Sequence, residues 1–396
     1  MGCSGGRSEC PWGSSMTHKA VPLSDKRSEL SRRRLHAVFV IPTLHGGGAE
    51  RVTATILRHL DRSKFRLSLI VIDGRGAVVR DQIPPDIQYI DLRCGRVRDA
   101  WLRLPWRLRL MKPDVVLATV SHLVLALAML RPVLPKNVRL IGRDTVVLTE
   151  NLHNFRFPAM WSFFLKKYYP KLDCMICQSQ DIRQDLIRNW SFPRSRLVLI
   201  NNPVDFEWVH ARSLASIDDA IMQRERNTIQ LVAAGRLVDQ KGFDLLLQAI
   251  ALCEDLRLRL TILGEGPREP ALRAQAQQLG LADRVRFAGH SANPFPIIAQ
   301  ADAFVLSSRF EGFPNVVLES LACGTPVIAT PAPGGTREIL EGISGCKLAA
   351  SVSAEGLACA MREWIAGSKQ RIDRNVVSRY EVGNIVGHYA RVLEGH

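Results

Sequence analysis

Two successive series of short β-rich runs, each run followed by an amphipathic or capped segment, constrain this chain more than any other feature. The first series reads LHAVFVIP, RLSLIVID, IQYIDL, VVLAT, RLIGRD, CMICQS and LVLINN. Strands that alternate with helical stretches form βαβ units and a parallel sheet. After Asn202-Pro203 comes a polar, helical-looking stretch without a strand, Asp205 to Asn227, which reads as an interdomain connection. A second series then begins: IQLVAAGR, RLTILGE, RVRFAGH, AFVLSS and PVIATP. The expected fold class is α/β, with two doubly wound, Rossmann-like parallel-sheet domains facing a cleft. In open sheets of this kind a ligand sits beyond the carboxyl ends of the strands. The length of 396 residues agrees with two domains at ~100–200 residues each.

The boundaries follow from the same pattern. Residues 1–34, rich in Gly, Ser and Arg, read as a flexible lead; residues 35–205 as the first Rossmann-like domain; 206–227 as the connection; 228–375 as the second; and 376–396 as a terminal helix. That helix carries Val382, Ile385, Val386, Tyr389, Val392 and Leu393 at a spacing that buries one face. The lead has no apolar core of a signal peptide, Gly6 stands where a myristoylation signal needs Ser or Thr, and Met16 is an alternative start.

Composition narrows the function classes. Apolar residues at 46% against 23% charged exclude a mostly disordered chain or a fibre. The 53 Lys and Arg exceed the 38 Asp and Glu by 15, so some surface attracts nucleic acid, anionic lipid or phosphorylated substrates, and charge alone does not choose among them. The longest apolar stretch, Val115 to Leu130, is 16 residues and includes Thr119, Ser121 and His122. It is shorter than the ~18 residues of a spanning helix, and a soluble protein is expected. Nine cysteines suit reduced thiols in a cytosol. Cys174 and Cys177 have CxxC spacing without a second pair or a nearby His, which favours buried strand thiols over a zinc site.

Three segments carry chemistry. In PTLHGGGAERV, Gly46, Gly47 and Gly48 precede a helix, where close backbone approach and a helix N-terminus favour an anion; a tight strand-to-helix turn explains them equally well. In LVAAGRLVDQKGFDLLLQAI, Arg236 lies at the carboxyl end of a strand and Lys241 at the start of a helix, two cations suited to a diphosphate. In SSRFEGFPNVVLESLACGTPVIATP, Pro314 fits the first turn of a helix, Glu311 precedes it and Glu319 lies one turn inside. Two carboxylates near one helix end suit the vicinal hydroxyls of a sugar and a ribose.

With these residues in view, the sequence resembles the retaining nucleotide-sugar glycosyltransferases of family four, which have the GT-B fold and include bacterial enzymes that extend lipid-linked or envelope polysaccharides. The resemblance rests on GGAERV, NNPVD, GRLVDQKGFDLLLQA, LGEGP, VRFAGH and EGFPNVVLESLACGTPVIAT, and covers residues 35 to 393. It implies that Arg236 and Lys241 bind the donor diphosphate. Glu319 would hold the ribose, and Glu311 with the backbone at Gly312, Phe313, Pro314 and Asn315 the transferred sugar. Amides near Gly47 and Gly48 would face the phosphates, Gly289 and His290 the nucleobase, and His122 the sugar near its reacting carbon. RLIGRDTVV looks like an acceptor-side motif and makes Arg143, with Arg51 of GGAERV, an acceptor residue.

The implied reaction moves a hexose or N-acetylhexosamine from a UDP-linked donor to a membrane-held polyprenyl-diphosphate glycan, without a cofactor. No DxD motif ends a strand, so no metal is expected. Between Arg93 and Lys112, seven cations are interleaved with Trp101 and Trp106, and NFRFPAMWSFFLKKYYPKL follows at residues 154 to 172. These stretches fit an anionic membrane interface or, equally, charged surface helices packed by their apolar faces. The expected location is cytoplasmic, peripheral on the inner face of the cytoplasmic membrane, with no nucleic-acid partner. A soluble acceptor, or a basic membrane- or nucleic-acid-binding protein with a vestigial donor site, are the alternatives.

Overall fold

A computed structural model describes residues 1–2, 33–216, 227–367 and 370–396. Most of the expected lead, and residues 217–226 of the expected connection, lie outside them. The first series of runs forms β1 (Leu35–Ile41), β2 (Phe65–Val71), β3 (Gln88–Asp91), β4 (Val115–Thr119), β5 (Arg139–Arg143), β6 (Cys174–Cys177) and β7 (Leu197–Leu199). The second forms β8 (Ile229–Ala234), β9 (Leu258–Leu263), β10 (Val285–Gly289), β11 (Ala303–Leu306), β12 (Val327–Ala329) and β13 (Lys347–Leu348). Every pairing between these strands is parallel, in the orders β3-β2-β1-β4-β5-β6-β7 and β10-β9-β8-β11-β12-β13. The strand order reverses direction between β1 and β4 and between β8 and β11, the two positions where a doubly wound sheet opens a crevice. Only β13 was not visible in the runs, because two residues at a sheet edge leave no periodic signal.

The helices that matter for the site are α1 (Gly48–His59), α2 (Arg103–Met111), α3 (Ser121–Met129), α4 (Pro158–Tyr168), α5 (Phe206–Ser213), α6 (Phe243–Cys253), α7 (Asn315–Ala322) and α8 (Val382–Glu394). The 16-residue apolar run is therefore not one helix but β4 followed by α3. The break falls at Val120, whose φ of 76° is a strained value for a β-branched residue. Its N–H donates to the Arg143 carbonyl at 3.1 Å, which holds the turn at the carboxyl edge of the sheet. No helix of the described residues is long and apolar enough to cross a membrane.

Alternate residues of β1 divide the first core. Ala37, Phe39 and Ile41 pack with α1 and α8, while Val38 and Val40 pack with α3. The terminal helix therefore buries Val382, Ile385, Val386, Tyr389, Val392 and Leu393 against the first body, although its sequence follows the second. Each such side chain contributes about 1.5–3 kcal/mol by leaving water, so α8 is a permanent part of that body. Conversely, α5, which lies in the expected connection, packs on the second body: Trp208 meets Phe295 edge-on at 5.2 Å and Val209 shares its core. The chain thus crosses twice, and the crossings pair. Val204 N–H donates to the Tyr380 carbonyl at 2.8 Å, and Val204 forms a parallel bridge with Glu381. Residues 35–396 form one compact unit.

Candidate active site

The second body supplies a cation and carboxylate cluster. The chain leaves β8 through Gly235 and Arg236, turns at Gly242 with φ 61°, and enters α6. A Cβ at Gly242 would lie 2.1 Å from the Ser307 carbonyl, so only glycine lets this turn approach the end of β11. The approach brings Lys241 Nζ to 2.6 Å from Glu311 Oε1, to which Ser308 Oγ also donates at 2.6 Å. Glu311 is buried, and its charge is compensated by this ammonium and hydroxyl. Arg236 is exposed, and its side chain has no partner among the described residues. A cation free at the carboxyl edge and a second one a proton's reach from a buried carboxylate are suited to an anionic group with a polyhydroxyl group beside it.

Pro314 stands at the N-cap of α7, one residue ahead of the first turn where the sequence reading placed it, and Gly312 and Asn315 of the segment Glu311–Asn315 touch the first body. Gly312 touches it so closely that a Cβ would stand 2.0 Å from the Thr145 carbonyl. Phe313 turns its ring into the second core, edge-on to Tyr380 at 5.4 Å, which leaves only its backbone for a ligand. Asn315 Nδ2 donates to the Gly48 carbonyl at 3.2 Å. Two further links close the bodies on one another. Asp181 accepts from the Gly334 N–H at 2.8 Å, and Glu338 accepts from Asn201 Nδ2 and the Gln180 N–H, each at 3.0 Å. Gly289, with φ 71°, ends β10 and accepts from the Gly264 N–H at 2.7 Å, and the His290 N–H donates to Glu265 Oε1 at 3.3 Å, so these backbone groups already have partners within the second body.

Three expectations change. Gly47 does not offer a free amide: its N–H donates to Glu50 Oε2 at 2.7 Å, and Glu50 also accepts from Thr43 Oγ1. At the start of α1 the N–H groups of Gly48 and Ala49 are ones that the helix leaves unpaired. Arg51 is not turned toward an acceptor but toward Glu319, with Nη1 3.2 Å from Oε1. Arg143 has a relative exposure of only 1%, which removes it from any surface an acceptor can reach. It donates instead to Thr119 Oγ1 at 3.0 Å and to Asn202 Oδ1 at 2.7 Å.

His122 stands at the start of α3, half-buried, and desolvation lowers the pKa of its imidazole, which keeps it neutral at pH 7. Beside it in sequence, Ser121 helps enclose a group that the sequence patterns did not single out. Asp144 is fully buried at the end of β5, and desolvation pushes its carboxyl up to about 7 against hydrogen bonds from Ser121 and Tyr169. A lone Asp after a strand carries no signal of that burial. Asn202 was visible only as part of NNPVD, with no role attached. Cys174 and Cys177 occupy β6, buried, and desolvation raises both thiols, Cys174 to about 11. Among the described residues, no three His, Cys, Asp or Glu side chains are grouped as metal ligands.

Comparison with known proteins bears on this arrangement. The family description Glycosyltransferase Family 4 matches residues 46–208, and Glycosyl transferases group 1 matches residues 228–366. The N-acetylgalactosamine-N,N'-diacetylbacillosaminyl-diphospho-undecaprenol 4-alpha-N-acetylgalactosaminyltransferase of Campylobacter jejuni is 29% identical over 310 residues, 76% of this chain and 81% of that protein. The lipopolysaccharide core biosynthesis glycosyltransferase LpsE of Rhizobium meliloti is 31% identical over 204 residues, 52% of this chain and 57% of that protein. Anabaena HepE in complex with UDP-glucose superposes with a TM-score of 0.76 at 20% identity, covering 92% of this chain and 100% of that one. That last similarity shows the shared fold.

Proposed function

The chain belongs to the GT-B glycosyltransferases that those two families describe, and from that premise we propose that it transfers a hexose or N-acetylhexosamine with retention of configuration. The donor in this reading is a UDP-sugar, and the acceptor is a polyprenyl-diphosphate-linked glycan at a membrane surface. The observation that carries it is the cluster of Arg236, Lys241, Glu311 and the start of α7 at the carboxyl edges of two facing sheets. Arg236 and Lys241 meet the leaving diphosphate, Glu311 and the backbone at Gly312–Asn315 orient the sugar, and Glu319 meets the ribose once Arg51 yields.

The acceptor hydroxyl attacks the anomeric carbon on the face from which the diphosphate leaves. The carbon–oxygen bond to the phosphate breaks, a bond to the acceptor oxygen forms, and the acceptor's proton passes to the departing phosphate oxygen. The protein's contribution is electrostatic, since charge develops on a group already cradled by cations. The reading needs no metal or other cofactor.

The acceptor class draws on two supports. The Campylobacter relative is named for an undecaprenol diphosphate acceptor. In this chain, moreover, Trp101, Leu102, Trp106 and Leu110 around α2, and Phe157, Met160 and Phe163 around α4, are exposed on the first body. Apolar side chains set among arginines fit a peripheral docking face on anionic lipid.

Assaying a panel of nucleotide sugars, with polyprenyl-diphosphate glycans and soluble sugar phosphates as acceptors and with EDTA present, tests the whole reading. Transfer from a UDP-sugar to the lipid-linked acceptor, unaffected by chelation, is expected. Preference for a soluble acceptor, or activity recovered only with a divalent ion, overturns the corresponding part.

A further inference from the structure

A chain of side-chain hydrogen bonds, buried at Arg143 and Asn202 and open to solvent at its far end, runs from the core of the first body to the segment that carries Glu311. It starts at Arg143, at the end of β5, whose Nη2 donates to Asn202 Oδ1 at 2.7 Å. Asn202, on the first crossing between the bodies, donates through Nδ2 to the Phe313 carbonyl at 3.1 Å and to Asn315 Oδ1 at 2.7 Å. Asn315 in turn donates through Nδ2 to the Gly48 carbonyl. Four segments distant in sequence are thereby joined: β5, the crossing, the α7 entry and the α1 entry.

The direction of this chain is fixed by chemistry. A guanidinium has five donors and no acceptor, so Asn202 can face Arg143 only with its carbonyl oxygen. Its amide nitrogen must then face Phe313 and Asn315, and Asn315 must accept from Asn202 and donate to Gly48. Flipping Asn202 would set donor against donor and acceptor against acceptor in a buried place, and flipping Asn315 would repeat the mismatch where the chain reaches the surface. No carboxylate pairs with Arg143 among the described residues, and its other strong bond is to the Thr119 hydroxyl. Burying a guanidinium without a counter-charge is costly, and stability alone would be served as well by an apolar side chain of the same volume.

We infer that Arg143 is a positioning residue, which acts through Asn202 to fix the orientation of Asn315 and the Phe313 carbonyl, and so holds the sugar-binding segment against the first body. The inference rests on the donor-site reading above. It replaces the expectation that Arg143 meets the acceptor, because the guanidinium is enclosed and committed to Thr119 and Asn202.

The test uses the full chain with Asn202→Asp, Arg143→Met and Arg143→Lys. Asn202→Asp keeps the partner of Arg143 but sets a carboxylate oxygen against two acceptors, so the fold survives while the next link breaks. Turnover of the donor by Asn202→Asp and Arg143→Met should fall about tenfold or more in kcat, the scale of one buried hydrogen bond left unpaired. Arg143→Lys, still a donor only, should recover most of the loss. Amide hydrogen exchange over residues 311–319 should quicken in Asn202→Asp, with the rest of the second body unchanged. Unchanged exchange there, or equal losses for Arg143→Met and Arg143→Lys, overturns the inference. Exchange needs no donor, so it separates the two readings: faster exchange together with normal turnover by Lys241→Ala would overturn the donor site and leave the positioning chain standing.

Discussion

Arg51 and Glu319, 268 residues apart in sequence, meet across the cleft with Nη1 3.2 Å from Oε1. The carboxylate proposed for the ribose is therefore engaged by a guanidinium, and in that reading ribose and guanidinium compete for it. Both side chains are partly exposed, so the ion pair contributes up to ~1 kcal/mol. Arg51→Ala should then tighten binding of a nucleoside diphosphate by about twofold to fivefold. Calorimetric titration with UDP measures this directly. Weaker binding by the variant would make Arg51 a contact of the donor rather than its competitor.

The two cations proposed for the diphosphate should behave differently when removed. Each loss should lower transfer by about 10²–10³-fold, or ~2.7–4 kcal/mol, by analogy with a missing oxyanion donor. Arg236 is exposed and unpartnered, so Arg236→Ala should leave thermal stability unchanged. Lys241→Ala also strips a buried Glu311 of its ammonium partner, leaving the Ser308 hydroxyl alone against the charge. That variant should lose stability as well, by about 1–3 kcal/mol. Steady-state kinetics beside thermal melts checks both, and near-normal turnover in either variant would refute the clamp.

The sequence made the sheet strands legible because buried parallel strands are near-continuous apolar runs bounded by turn residues. It made the candidate residues Lys241, Glu311 and Glu319 conspicuous because they stand in a wording with narrow spacing. What it hid is long-range. Nothing near Arg51 announces Glu319, and Arg143 in RLIGRD looks like any other arginine at a strand end until β5 is seen to run beneath the crossing; Glu50, three residues after Gly47, is by contrast a local capping signal. The terminal helix has an apolar face in either case; only packing decides that its partner is α1. Gly312 reads as a turn glycine, whereas the reason no side chain fits is the Thr145 carbonyl from the other body.

Asp144 should give stability a distinctive pH dependence. Burial holds its folded pKa at about 7, above the unfolded value of 3.8. Between about pH 4 and 7 the native state retains a proton that the unfolded state has released, so stability falls as pH rises through that window and levels above it. Asp144→Asn, which cannot ionise, should remove this decline and stabilise the protein at pH 8 by at most about 4 kcal/mol. Urea midpoints from pH 4 to 8 for both proteins decide it. Parallel curves would show that Asp144 is ionised in the native state.

The face around α2 makes the last prediction. Leu102 is 80% exposed and Trp106 56% exposed, and the Arg107 guanidinium lies 4.9 Å from the Trp106 ring. Arg103, by contrast, is drawn inward and donates to the Leu92 carbonyl at 2.8 Å, so changing it would disturb packing as well as charge. The informative variants are therefore Arg107→Glu with Arg109→Glu, and Trp106→Ala separately. If this face docks on anionic lipid, each cation near the surface contributes ~1 kcal/mol, screened by salt within ~8–10 Å. The double charge reversal should abolish co-sedimentation with phosphatidylserine vesicles at low salt while leaving donor hydrolysis intact, because α2 lies on the first body and the cations proposed for the donor on the second. Trp106→Ala should weaken binding at every salt concentration, since its contribution is apolar burial rather than charge. Vesicle binding unchanged in both variants would refute the docking face and favour an acceptor met in solution.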